Sequence, residues 1–132
     1  MLSAQNRLDR QEGFSDTLRL GSRVGSRALV VSLRYPSTDS DGNNEGLGDT
    51  KVGIVVGKKQ IPRAVDRNLV KRRLRHIMRE KITECPRGSR VVVRALSPCV
   101  TMSFAQLDAA VDANLKRASL REQSRARVEG DS

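Results

Sequence analysis

The sequence predicts an α+β fold, because segments with strand periodicity and segments with helix periodicity follow one another along the chain. Residues 28–35, 51–58 and 89–96 are rich in apolar, β-branched residues and are bounded by turn formers. Residues 64–81 instead repeat their apolar side chains every three or four positions. The 132 residues leave room for one domain with one core. The expected layout is a two-layer α/β sandwich of order α-β-β-(β)-α-β-α.

Two helices are predicted besides the one at residues 64–81. The first covers residues 9–20, where Phe14 and Leu18 lie one turn apart and a glycine follows as a stop. The last begins at Ser103, because Ser103 and Gln106 have the spacing of a capping box. Its apolar stripe consists of Phe104, Leu107, Val111 and Leu115.

Alternation along the strands separates an apolar face of the sheet from a second, more open face. In the first strand the apolar face receives Leu29, Val31 and Leu33, and the second face receives Val30, Ser32 and Arg34. In the strand at residues 51–58 the second face receives Gly53, Val55 and Gly57. Glycines leave room for another molecule to approach the backbone, although a solvated face without a ligand explains them equally well. Residues 23–26 could add a short extended piece.

Two segments are predicted to lack regular structure. Residues 36–50 are almost all turn formers and acidic residues, which predicts a flexible hairpin loop. Residues 119–132 are polar, which predicts a disordered tail. The single domain is therefore expected to span residues 1–118.

The helix at residues 64–81 separates apolar side chains from basic ones. Val70, Leu74 and Ile77 form its apolar side, and the opposite side carries Asn68, Lys71, Arg72, Arg75 and Arg79. Solvated basic helices are common, but this face lacks the alternating acids that usually accompany them. Guanidinium groups hold phosphates with paired hydrogen bonds, so the face is suited to a nucleic acid.

The positive charge of the chain is concentrated in its central part. The formal net charge is +10, yet residues 51–94 alone carry 14 Lys or Arg against 3 Asp or Glu. The remaining segments are nearly neutral. This distribution favours a polyanionic partner.

No catalytic or metal-binding constellation is visible. His76 is the only histidine and has no Ser or Cys partner at a readable spacing, and no carboxylates are paired to hold a metal or a water molecule. Cys85 and Cys99 have no CxxC spacing and are expected to be buried, reduced thiols. No signal peptide or apolar run of membrane-spanning length is present, so a cytoplasmic protein without membrane contact is expected.

Residues 64–75, AVDRNLVKRRLR, closely resemble the RNR signature of the bacterial ribonuclease P protein component family. The flanking residues agree with the resemblance, since Phe14 lies in the predicted first helix and residues 51–59 read KVGIVVGKK. The resemblance covers residues 6–118.

The resemblance implies a fold shared with a ribosomal-protein domain, with a sheet of about four strands and a left-handed crossover. It implies a subunit of ribonuclease P, an endonuclease that removes the 5′ leader from precursor tRNA. Hydrolysis would be carried out by the RNA subunit with Mg²⁺, and the protein would hold no cofactor itself. Its partners would be the catalytic RNA and precursor tRNA, with no protein partner required.

The resemblance also implies two RNA-contacting surfaces. The surface for the catalytic RNA would consist of Lys58, Lys59, Arg67, Asn68, Lys71, Arg72, Arg75 and Arg79. The cleft for the tRNA leader would be lined by Phe14, Leu18, Val30, Ser32, Gly53 and Val55. The chain departs from the family pattern at Leu18 and Ser32, where aromatic residues are common, so base stacking in the cleft is expected to be weaker. Arg63 stands where the family usually has an asparagine.

Two other functions are compatible with a basic α+β domain. A ribosomal or assembly protein of the same fold would bind structured RNA without supporting cleavage. A DNA-binding regulator is disfavoured, because strands flank the basic helix where a helix-turn-helix needs a companion helix.

Overall fold

A computed structural model describes residues 21–35, 50–85 and 88–130 of the chain, with side chains described as far as residue 124. The predicted first helix, with Phe14 and Leu18, lies outside the described residues. Most of the predicted hairpin loop, residues 36–49, lies outside them as well.

The described chain contains four strands and two long helices. The strands are β1 (Ser22–Gly25), β2 (Leu29–Arg34), β3 (Lys51–Val55) and β4 (Arg90–Ala95). The helices are α1 (Ala64–Lys81) and α2 (Phe104–Gly130), and short 3-10 turns occupy Ile82–Glu84 and Ser97–Thr101. The bounds of the basic helix agree with the predicted ones, and the short extended piece considered at residues 23–26 is confirmed as β1.

The strands form one mixed sheet in the order β1-β2-β4-β3. The β1–β2 and β2–β4 pairs are antiparallel, whereas β3 and β4 are parallel. Parallel neighbours require a crossover connection, and α1 provides it. The α+β fold with a four-stranded sheet and helices is confirmed, while the left hand of the crossover stays a prediction.

The apolar face of the sheet is covered by the two helices. Cross-strand rows on this face include Val24, Val31, Val93 and Ile54, and also Ser22, Leu33, Val91 and Val52. The valines and leucines of these rows belong to one core cluster with the buried side chains of α1 and α2. The second face of the sheet points away from this cluster, as the alternation predicts.

In α1 the burial follows the predicted apolar side. Val70, Leu74 and Ile77 are buried, and Met78 joins them. Asp66 lies in the first turn and Arg79 and Lys81 in the last, where their charges oppose the partial charges of the helix ends. Packing of this side on the core fixes which way the opposite side points.

The start of α2 is the predicted capping box. The Ser103 amide donates to Gln106 Oε1 (2.9 Å), and the Gln106 amide donates to Ser103 Oγ (3.1 Å). Of the predicted apolar stripe, Leu107, Val111 and Leu115 are buried. Phe104 was expected in the stripe but is 41% exposed, because the first residue of the helix lies beyond the edge of the core.

The prediction of a disordered tail from residue 119 is wrong for the described residues, because α2 continues to Gly130. Glu122 is buried at the end of the sheet, where its carboxylate accepts hydrogen bonds from the Ser22 hydroxyl (2.5 Å) and the Tyr35 amide (3.2 Å). The Tyr35 hydroxyl also donates to the Ser119 carbonyl (3.4 Å). Polar contacts with Ser22 in β1 and with Tyr35 directly after β2 therefore hold this part of α2 against the sheet.

Ion pairs join α1 to α2 on the side away from the basic face. Lys81 Nζ lies 3.2 Å from Asp112 Oδ1 and 3.6 Å from Asp108 Oδ1, and Lys116 Nζ lies 2.9 Å from Asp112 Oδ2. The hydrogen bond with Lys116 lowers the pKa of Asp112, and Lys81 adds to this against the opposing effect of burial. Burial acts to lower the pKa of Lys81, but its carboxylate partners outweigh burial and raise that pKa.

Both cysteines are free and buried, as predicted. Burial raises the pKa of Cys85 to about 11, with a smaller contribution from the charge of Glu84. Burial also raises the pKa of Cys99. At neutral pH both side chains are therefore protonated thiols that pack as small apolar groups.

Candidate nucleic-acid interface

The basic face of α1 is presented to solvent as predicted. Asn68, Arg72 and Arg79 are exposed, and Lys71 and Arg75 are half-buried at its edge. In the described part of the chain, no carboxylate lies within ion-pair distance of these four cations. Their N–H groups are therefore available to an external anion.

The turn that leads into α1 extends this face. Lys58 and Lys59 are exposed in a turn that is closed by a hydrogen bond from the Ile61 amide to the Gly57 carbonyl (3.0 Å). A Cβ atom added at Gly57 would meet nothing within 4 Å, so the backbone here is open to close approach. The two lysines precede the first residue of α1 by six and five positions, and an anion at that end of the helix is also favoured by the helix dipole.

Arg67 differs from the other cations of the face. Its Nη1 donates to the carbonyls of Ile61 (3.0 Å) and Pro62 (2.6 Å), so the side chain fastens the preceding segment to the helix. Arg67 is half-buried at the border of the face. It was predicted as an RNA contact, and the structure adds a positioning role for which the sequence offered no signal.

The Arg73 side chain also donates a hydrogen bond within the protein. Its Nη1 donates to the Met102 carbonyl (3.1 Å) just before α2. Near the start of α1, Arg63 lies 3.9 Å from Asp66. The arginines of this region thus divide into those that bond the protein and those that point to solvent.

The predicted cleft residues of the strands lie together on the second face of the sheet. Ser32, Val92 and Gly53 form one cross-strand row, and Val30, Arg94 and Val55 form the next. The first row is buried, whereas Val30 and Val55 are half-buried and Arg94 is exposed. The register thus brings all four predicted strand residues into two adjacent rows.

Basic residues of the same face were missed by the sequence analysis. The register adds Arg23, Lys51, Arg90 and Arg94 to the second face, beside Arg34, which the alternation already assigns to it. None of the four strands contains an acidic residue. The signal was present in β4, where Arg90, Val92 and Arg94 alternate with core valines. The second face therefore combines a small apolar centre with a positively charged border, which suits a single RNA strand.

The described residues of the two surfaces include no recognisable reactive group. His76 is exposed and its ring contacts that of Phe104, with centroids 5.5 Å apart and planes inclined by 66°. Within residues 21–35, 50–85 and 88–130, no three His, Cys, Asp or Glu side chains come together as metal ligands. No helix in the same ranges is long and apolar enough to cross a membrane. The arrangement can bind phosphates and bases.

Comparisons with known proteins agree on one family. A family model described as Ribonuclease P matches residues 2–119. The ribonuclease P protein component of Streptomyces avermitilis is 46% identical over 117 residues, which cover 89% of this chain and 94% of that protein. The component from Mycobacterium avium is 39% identical over 117 residues, with 89% and 94% of the two chains covered.

Solved structures show the same fold. The RNase P protein of Staphylococcus aureus has a TM-score of 0.68 and 26% identity, over 86% of this chain and 94% of that one. The RNase P protein of Thermotoga maritima has a TM-score of 0.66 and 25% identity, over 84% of this chain and 96% of that one.

Proposed function

The chain belongs to the ribonuclease P protein family, and from this premise we propose that it assists removal of the 5′ leader from precursor tRNA by binding the catalytic RNA and the leader. The RNA subunit, with Mg²⁺, performs the hydrolysis. The chain itself contributes binding and orientation. This role belongs in the bacterial cytoplasm.

The basic face of α1 carries the proposal. Lys71, Arg72, Arg75 and Arg79 are close neighbours on one helix, and none of them has a carboxylate partner in the described part of the chain. A folded RNA offers phosphates at a density that such a face can neutralise, and each neutralised phosphate releases a condensed counterion. We assign this face, with Lys58, Lys59, Arg67 and Asn68, to the catalytic RNA.

The second face of the sheet is the natural place for the leader. Single-stranded RNA needs a groove that attracts its backbone and tolerates different bases. The half-buried Val30 and Val55 and the exposed Arg94, beside the buried row of Ser32 and Gly53, supply these properties without a donor and acceptor pattern that selects a base. Protein bound to both RNAs would hold the leader beside the catalytic RNA, which lowers the entropic cost of bringing the scissile bond to the metal ions.

Reconstitution tests the proposal. Bacterial ribonuclease P RNA is mixed with precursor tRNA at an Mg²⁺ concentration too low for the RNA to act alone, with and without this protein. We expect the protein to restore cleavage at the mature 5′ end with no further protein present. Precursor tRNA should also compete better than mature tRNA, because only the precursor carries a leader. A protein that binds the RNA but never stimulates cleavage would instead be a structural RNA-binding protein.

A further inference from the structure

An exposed pair of rings lies where α1 passes the first turn of α2. The centroids of His76 and Phe104 are 5.5 Å apart in an edge-to-face arrangement. Phe104 is 41% exposed and His76 is also exposed. Only three aromatic residues occur in the whole chain, so an exposed ring is unusual here. Tyr35, the other described aromatic residue, is half-buried against α2.

The start of α2 does not need the Phe104 ring. The capping box of Ser103 and Gln106 satisfies the first turn of the helix. The positions on either side of the cap at which apolar residues usually meet are Met102 and Leu107, and both pack with the core. Neither the cap nor the core therefore accounts for an aromatic ring at position 104. The exposed part of that ring is free for an external contact.

Cations border the ring pair. Arg72, which is exposed, lies one turn before His76 on α1, and Arg79 lies one turn after it. Arg73 is held at the start of α2 by its hydrogen bond to the Met102 carbonyl (3.1 Å). The exposed carboxylate of Glu80 marks the far edge of this surface. An aromatic ring beside arginines is a surface on which an unpaired base can stack while its phosphate is held.

We propose that Phe104, with the His76 ring packed beside it, is a stacking platform for an unpaired nucleotide of the catalytic RNA, whose phosphate is held by Arg72. This inference rests on the proposed function. The nucleotide is assigned to the catalytic RNA because the platform adjoins the basic face of α1. The leader is assigned to the second face of the sheet, and α2 packs on the opposite face. The platform therefore extends the α1 contact onto α2.

The test compares the affinity of Phe104 variants for ribonuclease P RNA in the absence of tRNA. Phe104→Leu keeps an apolar side chain and loses the ring, and we expect it to weaken binding by about 5- to 30-fold. Phe104→Trp should retain or improve the affinity. Leu120→Ala is the matched control, because Leu120 is 63% exposed on the same helix, and its affinity should equal that of the wild type. All variants should share the wild-type melting temperature.

Two further readouts separate stacking from charge. Because Phe104 is neutral, Phe104→Leu should leave the salt dependence of binding unchanged, whereas Arg72→Ala should make it shallower. A photo-crosslinking residue at position 104 should mark an unpaired nucleotide of the catalytic RNA. Wild-type affinity for Phe104→Leu, or crosslinks confined to duplex RNA, would overturn the platform and leave the α1 contact standing. A wild-type protein that fails to bind the RNA would overturn the proposed function itself.

Discussion

Arg67 and Arg72 belong to the same motif, but their side chains make different contacts. Arg67 donates two hydrogen bonds to the backbone just before α1, whereas Arg72 is exposed and has no carboxylate partner in the described chain. An arginine that already bonds the protein offers fewer N–H groups to RNA. Motif membership alone therefore does not tell which arginine carries the affinity.

Replacing Arg72 by alanine should weaken binding to ribonuclease P RNA without changing the melting temperature. If Arg72 holds one phosphate, the slope of log affinity against log salt should become shallower by about 0.7–0.9. Arg117→Ala is the matched control, because Arg117 is an exposed arginine on α2 and its loss changes the net charge equally. Equal effects of the two substitutions would show that only net charge matters.

Leu74→Ala should act on stability instead. Leu74 is fully buried between α1 and the core, and removing its side chain is expected to cost about 2–5 kcal/mol of unfolding free energy. Val65 is 71% exposed on the same helix, so Val65→Ala should change stability by less than about 0.5 kcal/mol. Denaturant unfolding measures both, and a Leu74→Ala protein as stable as Val65→Ala would contradict the packing of α1.

At the scale of elements, helix boundaries were predictable where apolar periodicity or a cap marked them. The spacing of Val70, Leu74 and Ile77 and the Ser103–Gln106 cap placed both helices correctly. The C-terminal part of α2 was missed because its anchor is polar. Glu122 is buried where Ser22 and Tyr35, distant in sequence, bring hydrogen-bond donors to it. No local sequence pattern indicates a hydrogen-bond partner that is distant in sequence.

Glu122→Ala should therefore destabilise the protein. The substitution leaves the Ser22 hydroxyl and the Tyr35 amide without this acceptor, which is expected to cost about 1–3 kcal/mol. The control is Gln123→Ala, because Gln123 is the exposed neighbour on the same helix. Thermal unfolding that shows no difference between the two variants would mean that this part of α2 does not support the sheet.

The ion pairs of Asp112, with Lys116 within α2 and with Lys81 on α1, should make stability depend on pH. The folded-state pKa of Asp112 lies below its usual value, so its contribution is present above about pH 4 and is lost as the pH falls through the folded-state pKa. Asp112→Asn should lower the unfolding free energy by up to about 1 kcal/mol at pH 7.

The stability difference between Asp112→Asn and the wild type should disappear as the solution is acidified. Glu80→Gln removes an exposed carboxylate outside this cluster and should have no comparable effect. Denaturant unfolding at several pH values measures both variants. A difference for Asp112→Asn that stayed constant down to low pH would show that its cause is not the charge of Asp112.

At the scale of the whole molecule, the two faces of the sheet have different roles. Its apolar face holds the helices, and α1 carries a cationic surface on the far side from the core. Its second face has a buried row of small residues, next to half-buried valines and basic residues. The apolar and basic sides of α1 and the shared face of Val30, Ser32, Gly53 and Val55 were predictable because periods of 3.6 and 2 assign faces directly. The face of Arg90 and Arg94 was predictable in the same way, but the residues that lie next to them depend on strand order and register, which the periodicity does not specify.

The concentration of charge agrees with this separation. The excess of basic residues lies between residues 51 and 94, which span β3, α1 and β4. The two surfaces assigned to RNA draw most of their charge from these three elements. The charge of this one stretch of the chain can therefore attract both RNAs to the same protein.

The salt dependence of binding to ribonuclease P RNA tests most directly whether the α1 face is the contact surface. If about five phosphates are neutralised, log affinity should fall against log salt with a slope of about −3.5 to −4.5. Arg72→Ala and Arg79→Ala should each make that slope less negative, whereas Arg117→Ala should leave it unchanged. A wild-type slope near zero, or one that the α1 substitutions leave unchanged, would contradict the account.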